Sequence, residues 1–169
     1  CSDIVFVGGN YPNSWGYKRS LFLSKFSDLD LKIYGDTGWY VWLEIFPELK
    51  SKLILQGARL SSDSVNTIMN CSKLYPVDAN PGILSGIHVR VFDCIQSSIL
   101  PLVEYRKDLD IVFKDLELPV IHNYNDSKAL AQKYLNDNSL RLKTISVLRE
   151  HIMQNYSPKK AVEGMVGFV

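Results

Sequence analysis

The stretch Asp3-Ile4-Val5-Phe6-Val7-Gly8-Gly9 decides the fold. A continuous apolar run that ends in glycines is typical of a strand buried on both faces of a parallel sheet. Similar short apolar runs follow at Leu31–Tyr34, Lys52–Leu55, Lys73–Val77, Ser98–Val103 and Leu118–Ile121. Helical patterns separate these runs. The sequence therefore predicts a doubly wound, Rossmann-like α/β domain, with about six mostly parallel strands and helices on both faces.

The helical segments follow from apolar spacing and from capping residues. We expect helices over Ser14–Phe26, Ser62–Met69 and Gly86–Ser97, another that starts at Asp126 or Ser127, one that carries Ile145, Leu148 and Ile152, and a terminal one that opens at Ser157. Pro101 is awkward inside a central strand, so the limits of the fifth strand are open. In sheets of this class, ligands bind beyond the carboxyl ends of the strands, near the point where the strand order reverses.

Length and charge narrow the class of protein. The chain has 169 residues, enough for one domain over 1–169. Nineteen basic and 18 acidic residues leave a net charge of +1, which excludes a dedicated nucleic-acid binder. The apolar runs are too short to span a membrane. Cys1, Cys71 and Cys94 lack CxxC spacing, which indicates free thiols in a reducing compartment, and Cys94 lies in an apolar stripe.

The start of the chain also carries an expectation. The sequence opens at Cys1 without a methionine, and a buried strand begins only three residues later, at Ile4. We therefore expect the chain to be a segment of a longer protein.

The first candidate site is the turn Gly8-Gly9-Asn10 after the first strand. Glycines there let backbone N–H groups approach a phosphate, and the N-terminus of the next helix carries a partial positive charge. Neither GxGxxG nor GxxxxGK is present, so a tight structural turn is the alternative interpretation. Arg19, further along the same helix, is a candidate phosphate ligand or a solvated arginine. Its helix carries Trp15, Phe22 and Phe26 on one side, and we expect Arg19 to lie elsewhere.

The second candidate lies on the predicted helix over Gly86–Ser97. At 100° per residue, Gly86, Arg90, Asp93 and Ser97 share one face, opposite an apolar face. Such a stripe suits a nucleotide, because glycine permits close approach, arginine pairs with phosphate and aspartate accepts ribose hydroxyls. The alternative is a surface ion pair between Arg90 and Asp93, worth about 0.2–0.5 kcal/mol.

Other patterns point less clearly to chemistry. His88, His122 and His151 are dispersed and show no metal-binding spacing. The aromatic cluster over Trp39–Trp42 suits stacking on a base or a sugar, core packing, or a contact with another domain.

Four blocks of sequence resemble one family. They read VGGNYPNSWGYKR (7–19), LKIYGDTGW (31–39), GIHVRVFDCIQSSILPLVEYRKDL (86–109) and YLNDNSLRLKTISVLREHIMQNYS (134–157). In this order they look like the C-terminal domain of CgeB-type glycosyltransferases, which have the two-domain GT-B fold and are related to the retaining group 1 enzymes. Gly86, Arg90, Phe92 and Asp93 stand where the family reads G-x-x-x-R-x-F-E. Related retaining enzymes carry two glutamates eight positions apart, and Ser85 and Asp93 stand there in this chain.

The resemblance implies the donor-binding half of a bacterial, cytoplasmic glycosyltransferase. The donor would be a UDP- or GDP-linked sugar, with no cofactor and no obligatory metal. Gly8, Gly9, Asn10, Arg19, Gly86 and Arg90 would bind the donor, largely through its phosphates, and Asp93 its ribose. Its partners would be the donor and an N-terminal domain of the same chain. Without that domain the fragment would be inactive. Association with a membrane, if any, would occur through the missing part. The alternatives are a non-catalytic binding module and a nucleotide-sugar epimerase.

Overall fold

A computed structural model describes residues 2–57, 60–83, 85–156, 160 and 162. The described residues form one sheet from the strands β1 (Ile4–Val7), β2 (Leu31–Gly35), β3 (Leu53–Leu55), β4 (Leu74–Val77), β5 (Leu100–Glu104) and β6 (Val120–Ile121). The spatial order is β3-β2-β1-β4-β5-β6, and every pairing is parallel. This order confirms the predicted doubly wound, Rossmann-like sheet. The direction of the strand order reverses between β1 and β4.

Helices pack around the sheet. They are α1 (Ser14–Ser24), α2 (Ser62–Asn70), α3 (Val89–Gln96), α4 (Leu109–Val112), α5 (Ser127–Asn136) and α6 (Asn138–Asn155), with 3₁₀ turns at Thr37–Trp42, Pro47–Leu49 and Tyr124–Asp126. The pattern of apolar residues did not predict α4 or the 3₁₀ turns, because each is only one or two turns long. The helix predicted to open at Ser157 starts outside the described residues.

The predicted helix over Gly86–Ser97 begins three residues later than expected. Gly86 has φ +100°, a left-handed conformation that cannot start a right-handed helix. The helix α3 begins instead at Val89, where the Nδ1 atom of His88 accepts the N–H of Arg90 at 3.0 Å. The imidazole of His88 thus caps the helix, a role that serine, threonine, aspartate or asparagine usually has.

Two prolines lie inside central strands. Pro101 is tolerated because its nitrogen faces the β6 side, where β6 pairs with β5 only from Val103 onward. Pro76 disrupts the sheet more than Pro101 does, because it offers no N–H for the hydrogen-bond ladder between β4 and β1. The pairing of β1 with β4 is recorded only at Ile4 and Leu74, so the two strands part toward their carboxyl ends.

The core lies on both faces of the sheet. Its largest fully buried side chains include Trp39, Tyr75, Phe22 and Phe26. Cys94 is fully buried in α3, as its place in the apolar stripe predicted, and burial raises the pKa of its thiol well above the usual value.

Candidate functional site

A cleft opens where the strand order reverses. It has a volume of about 1070 Å³ and extends from the carboxyl ends of β1 and β2 to α2 and one face of α3. Its walls include Gly8, Gly9, Asp36, Arg90, Asp93 and Gln96. This is the location at which doubly wound sheets bind ligands.

The glycine turn on the floor of the cleft is held by three side chains, one from α1 and two from the segment after β2. The indole of Trp39 donates to the Gly8 carbonyl at 2.9 Å, and the guanidinium of Arg19 donates to the Gly9 carbonyl at 2.6 Å. The carboxylate of Asp36 accepts the next N–H, that of Asn10, at 3.3 Å. The carbonyls are therefore turned toward protein donors, and the turn is rigid before any ligand arrives.

One polar group of this turn remains free. Across the described ranges of the chain, the Gly9 N–H has no acceptor, whereas the Gly8 N–H donates to the Tyr34 carbonyl at 3.0 Å. A Cβ atom on Gly9 would lie 2.1 Å from Oδ2 of Asp36, so any larger residue there requires the Asp36 side chain to move. The turn thus presents an N–H donor without an acceptor beside the cleft. A backbone N–H of this kind can donate to an anion.

Arg19 does not line the cleft. Its Nε and Nη2 atoms donate to the Asp78 carboxylate at 3.0 and 3.3 Å, and only 6% of the residue is exposed. The guanidinium also lies 4.6 Å from the ring centroid of Trp15, so the expectation that it points away from the apolar side of α1 is wrong. The spacing 15, 19, 22, 26 already places it on that side. Arg19 supports the turn from behind.

Asn10 is also turned inward. Its amide nitrogen donates to the Gly16 carbonyl at 3.3 Å and to Oγ of Ser20 at 2.9 Å, and its Oδ1 accepts the N–H of Tyr11 at 3.0 Å. With 5% of the residue exposed, Asn10 fixes the start of α1. Its side chain offers nothing to a ligand in this arrangement.

The wall opposite the turn is formed by α3. Arg90, Asp93, Gln96 and Ser97 line the cleft together, so three of the four residues of the predicted stripe meet there. Arg90 and Asp93 are 3.8 Å apart, which is too long for a hydrogen bond. Among the described residues the Arg90 guanidinium has no hydrogen bond, and 28% of its side chain is exposed, so its donors are available to a ligand.

Gly86, the fourth member of the predicted stripe, lies elsewhere. It borders a separate cavity of about 20 Å³, room for roughly one water molecule, together with Glu104 and Arg106. The Arg106 guanidinium donates to the carbonyls of Asn80 and Ile83 and so ties the loop before α3 to the loop after β5. Gly86 therefore shapes the approach to α3 and does not face the main cleft.

His88 carries an electrostatic signature at the start of α3. Burial lowers the pKa of His88, and the positive charges of Arg90 and Arg19 act in the same direction, against the carboxylates of Asp78 and Asp93. The lowered pKa favours the neutral imidazole, whose Nδ1 must be unprotonated to accept the N–H that caps the helix.

Sequence patterns missed two residues that organise the site. Asp78, 4% exposed, binds Arg19 and accepts the Trp15 indole N–H at 2.9 Å. Its place directly after a parallel strand was a usable signal. Tyr75 gave no signal, because it forms its hydrogen bonds with Val7, 68 residues away. The aromatic cluster over Trp39–Trp42 resolves in part, since Trp39 is fully buried.

Two kinds of feature are absent from the residues that the structure describes. No group of three or more His, Cys, Asp or Glu side chains there is placed to hold a metal ion. No helix among them is both long and apolar enough to cross a bilayer.

The sequence matches no protein-family model and no curated protein. Solved structures do resemble the fold. A TarM variant of S. aureus in complex with fondaparinux, α-GlcNAc-glycerol and UDP aligns with a TM-score of 0.69 over 98% of this chain, at 17% identity. The BGT protein of phage T4, in complex with UDP and Mn²⁺, aligns with a TM-score of 0.65 over 95% of this chain, at 13% identity.

The present chain spans only part of each of these proteins, 35% of the TarM chain and 45% of the BGT chain. At these identities the likeness concerns the fold alone. It confirms the predicted architecture, a Rossmann-like α/β domain that matches one half of a GT-B arrangement.

Proposed function

We propose that this chain is the donor-binding half of a glycosyltransferase that moves a sugar from a nucleotide diphosphate to an acceptor hydroxyl. One observation carries the proposal. A cleft at the reversal point of the sheet combines the Gly9 N–H with the guanidinium of Arg90, and neither group has a hydrogen bond to the residues that the structure describes. Both are donors suited to phosphate oxygens, and a cleft of this volume is large enough for a nucleotide.

The diphosphate would lie between the glycine turn and the N-terminal end of α3. There Gly8 and Gly9 permit close approach and Arg90 supplies positive charge. When the sugar is transferred, negative charge develops on the departing diphosphate, and fixed N–H donors and a guanidinium stabilise it without rearranging. This mechanism needs no metal, and we propose metal-independent transfer.

The remaining predicted residues take different roles in this proposal. Asp93, one turn along α3 from Arg90, would accept the ribose hydroxyls, and its carboxylate is 47% exposed. Arg19 and Asn10 would hold the glycine turn in place without touching the donor, as their buried hydrogen bonds support. Gly86 would set the path of the loop into α3.

We also propose a second domain. The similar proteins are more than twice as long as this chain, which supports a partner domain that would supply the acceptor and close the cleft. The present chain would be the C-terminal half of a bacterial, cytoplasmic enzyme of the CgeB type, with UDP or GDP in its donor. On its own it would bind donor but transfer no sugar.

A non-catalytic binding module is the second candidate. Ser85, which is exposed, stands where related retaining enzymes carry their first glutamate, so a carboxylate close to the sugar is absent at that position. Labelled donor and intact protein separate these functions. Transfer of label to an acceptor supports the enzyme, an altered sugar still attached to nucleotide indicates an epimerase, and binding without turnover indicates the module.

The direct test is calorimetric titration with UDP, GDP and their glucose conjugates, with and without EDTA. We expect binding of one nucleotide series that EDTA leaves unchanged. Arg90→Ala should weaken that binding at least tenfold, and Arg149→Ala, which removes the same charge from the exposed face of α6, should not. Absence of binding by the unaltered chain, or equal effects of the two substitutions, contradicts the proposal.

A further inference from the structure

The side chain of Tyr75 in β4 makes two hydrogen bonds with the backbone of β1. Its hydroxyl accepts the Val7 N–H at 3.0 Å and donates to the Val7 carbonyl at 3.0 Å. The residue is 1% exposed, and burial raises the pKa of Tyr75, which keeps the hydroxyl protonated and able to donate.

These bonds replace part of the ladder between the central strands. Pro76, the next residue, has no N–H to give to β1. Alternation along a parallel strand directs the Val7 N–H toward β4, since the neighbouring Gly8 N–H donates to β2. The Tyr75 hydroxyl bonds to both backbone groups of Val7, directly before Gly8 and Gly9, at the end where β1 and β4 part.

The ring of the same residue reaches the other side of the cleft. The Arg90 guanidinium lies 5.6 Å from the Tyr75 ring centroid, within the range of a cation–π contact. Arg90 has no hydrogen bond to other described residues, so this ring is one of the few features that orient its side chain. A single buried tyrosine therefore contacts Arg90 and also Val7, the residue that precedes the glycine turn.

We propose that Tyr75 is a positioning residue that sets the glycine turn and Arg90 at the spacing of a diphosphate. The inference rests on the proposed function, because it assumes that a nucleotide diphosphate lies between those two groups. Tyr75 itself does not touch the ligand. It acts through Val7 on one side and through Arg90 on the other.

Tyr75→Phe separates the two contacts, since it keeps the ring under Arg90 and removes the hydroxyl. We expect the dissociation constant for UDP to rise about tenfold, because loss of the hydroxyl lets Val7 and the N–H of the following glycine turn move from their fixed positions. Binding of uridine, which lacks phosphates, should change by less than about twofold. Tyr134→Phe, at another buried tyrosine in α5, is the matched control and should leave both ligands unaffected.

The outcomes are distinct. If the unaltered chain binds neither UDP nor GDP, the proposed function fails. If it binds UDP and Tyr75→Phe binds UDP equally well, or loses UDP and uridine in the same proportion, the positioning role is overturned.

A measurement on the unaltered chain covers the case in which Tyr75→Phe does not fold. In ¹⁵N-labelled protein, UDP should shift the amide signals of Val7, Gly9 and Arg90 together, and uridine should leave these three in place. Independent or absent responses to UDP, in a protein that binds it, overturn the inference.

Discussion

Replacing Arg19 with alanine is expected to destabilise the fold by about 3–5 kcal/mol, the range for removing one partner of a buried ion pair. The structure supports the upper part of this range. The side chains of Arg19 and Asp78 are only 7% and 5% exposed, and two hydrogen bonds of 3.0 and 3.3 Å join them. The substitution leaves the Asp78 carboxylate buried without its counter-ion, and the Gly9 carbonyl without its donor.

The assay is thermal and urea unfolding of the unaltered chain, Arg19→Ala and Arg90→Ala. At roughly 2–4 °C per kcal/mol for a chain of this size, Tm should fall by about 6–20 °C in Arg19→Ala. Arg90→Ala, whose side chain is half-buried and forms only a loose ion pair, should lower stability by less than about 1 kcal/mol. If Arg19→Ala loses less than about 1 kcal/mol of stability and binds UDP more weakly, Arg19 is a ligand and its assignment as a structural residue is wrong.

Three further predictions concern the glycine turn, the cap of α3 and the loop before α3. Gly9→Ala should weaken UDP binding and lower Tm, because its methyl group would displace the Asp36 side chain that holds the turn. Gly57→Ala, at a cleft glycine with open space around it, should change neither value when UDP titration and thermal unfolding are repeated. Stability should fall as the pH drops below about 6.5 toward the lowered pKa of His88, because the unfolded chain takes up the proton first. His88→Asn, which retains a capping acceptor, should reduce that loss in urea unfolding between about pH 8 and pH 5, and equal pH profiles for the two proteins would contradict this account. Arg106→Met should speed amide exchange over 80–83, whose carbonyls the guanidinium holds, and unchanged exchange would mean that other contacts fix this loop.

The strands were the most predictable part of the fold. Continuous apolar runs mark buried parallel strands, and each of the six predicted runs overlaps a strand of the sheet. The start of α3 was not predictable from periodicity, because the positive φ of Gly86 and the histidine cap are local backbone features.

The candidate site was predictable only in part. The stripe of Arg90, Asp93 and Ser97 follows from helical spacing, and these residues meet in the cleft. The inward position of Arg19 was readable from its spacing to Trp15, but its partner Asp78 lies 59 residues away, directly after β4. Pairings of this kind depend on strand order, which a single sequence does not encode in any local pattern.

A crystal structure of the chain with UDP tests the central claim most directly. We expect diphosphate oxygens within about 3.2 Å of the Gly9 N–H and of the Arg90 guanidinium, with the pair between Arg19 and Asp78 intact. UDP bound outside this cleft, or bound there with Arg19 released from Asp78 to hold the phosphates, would contradict it.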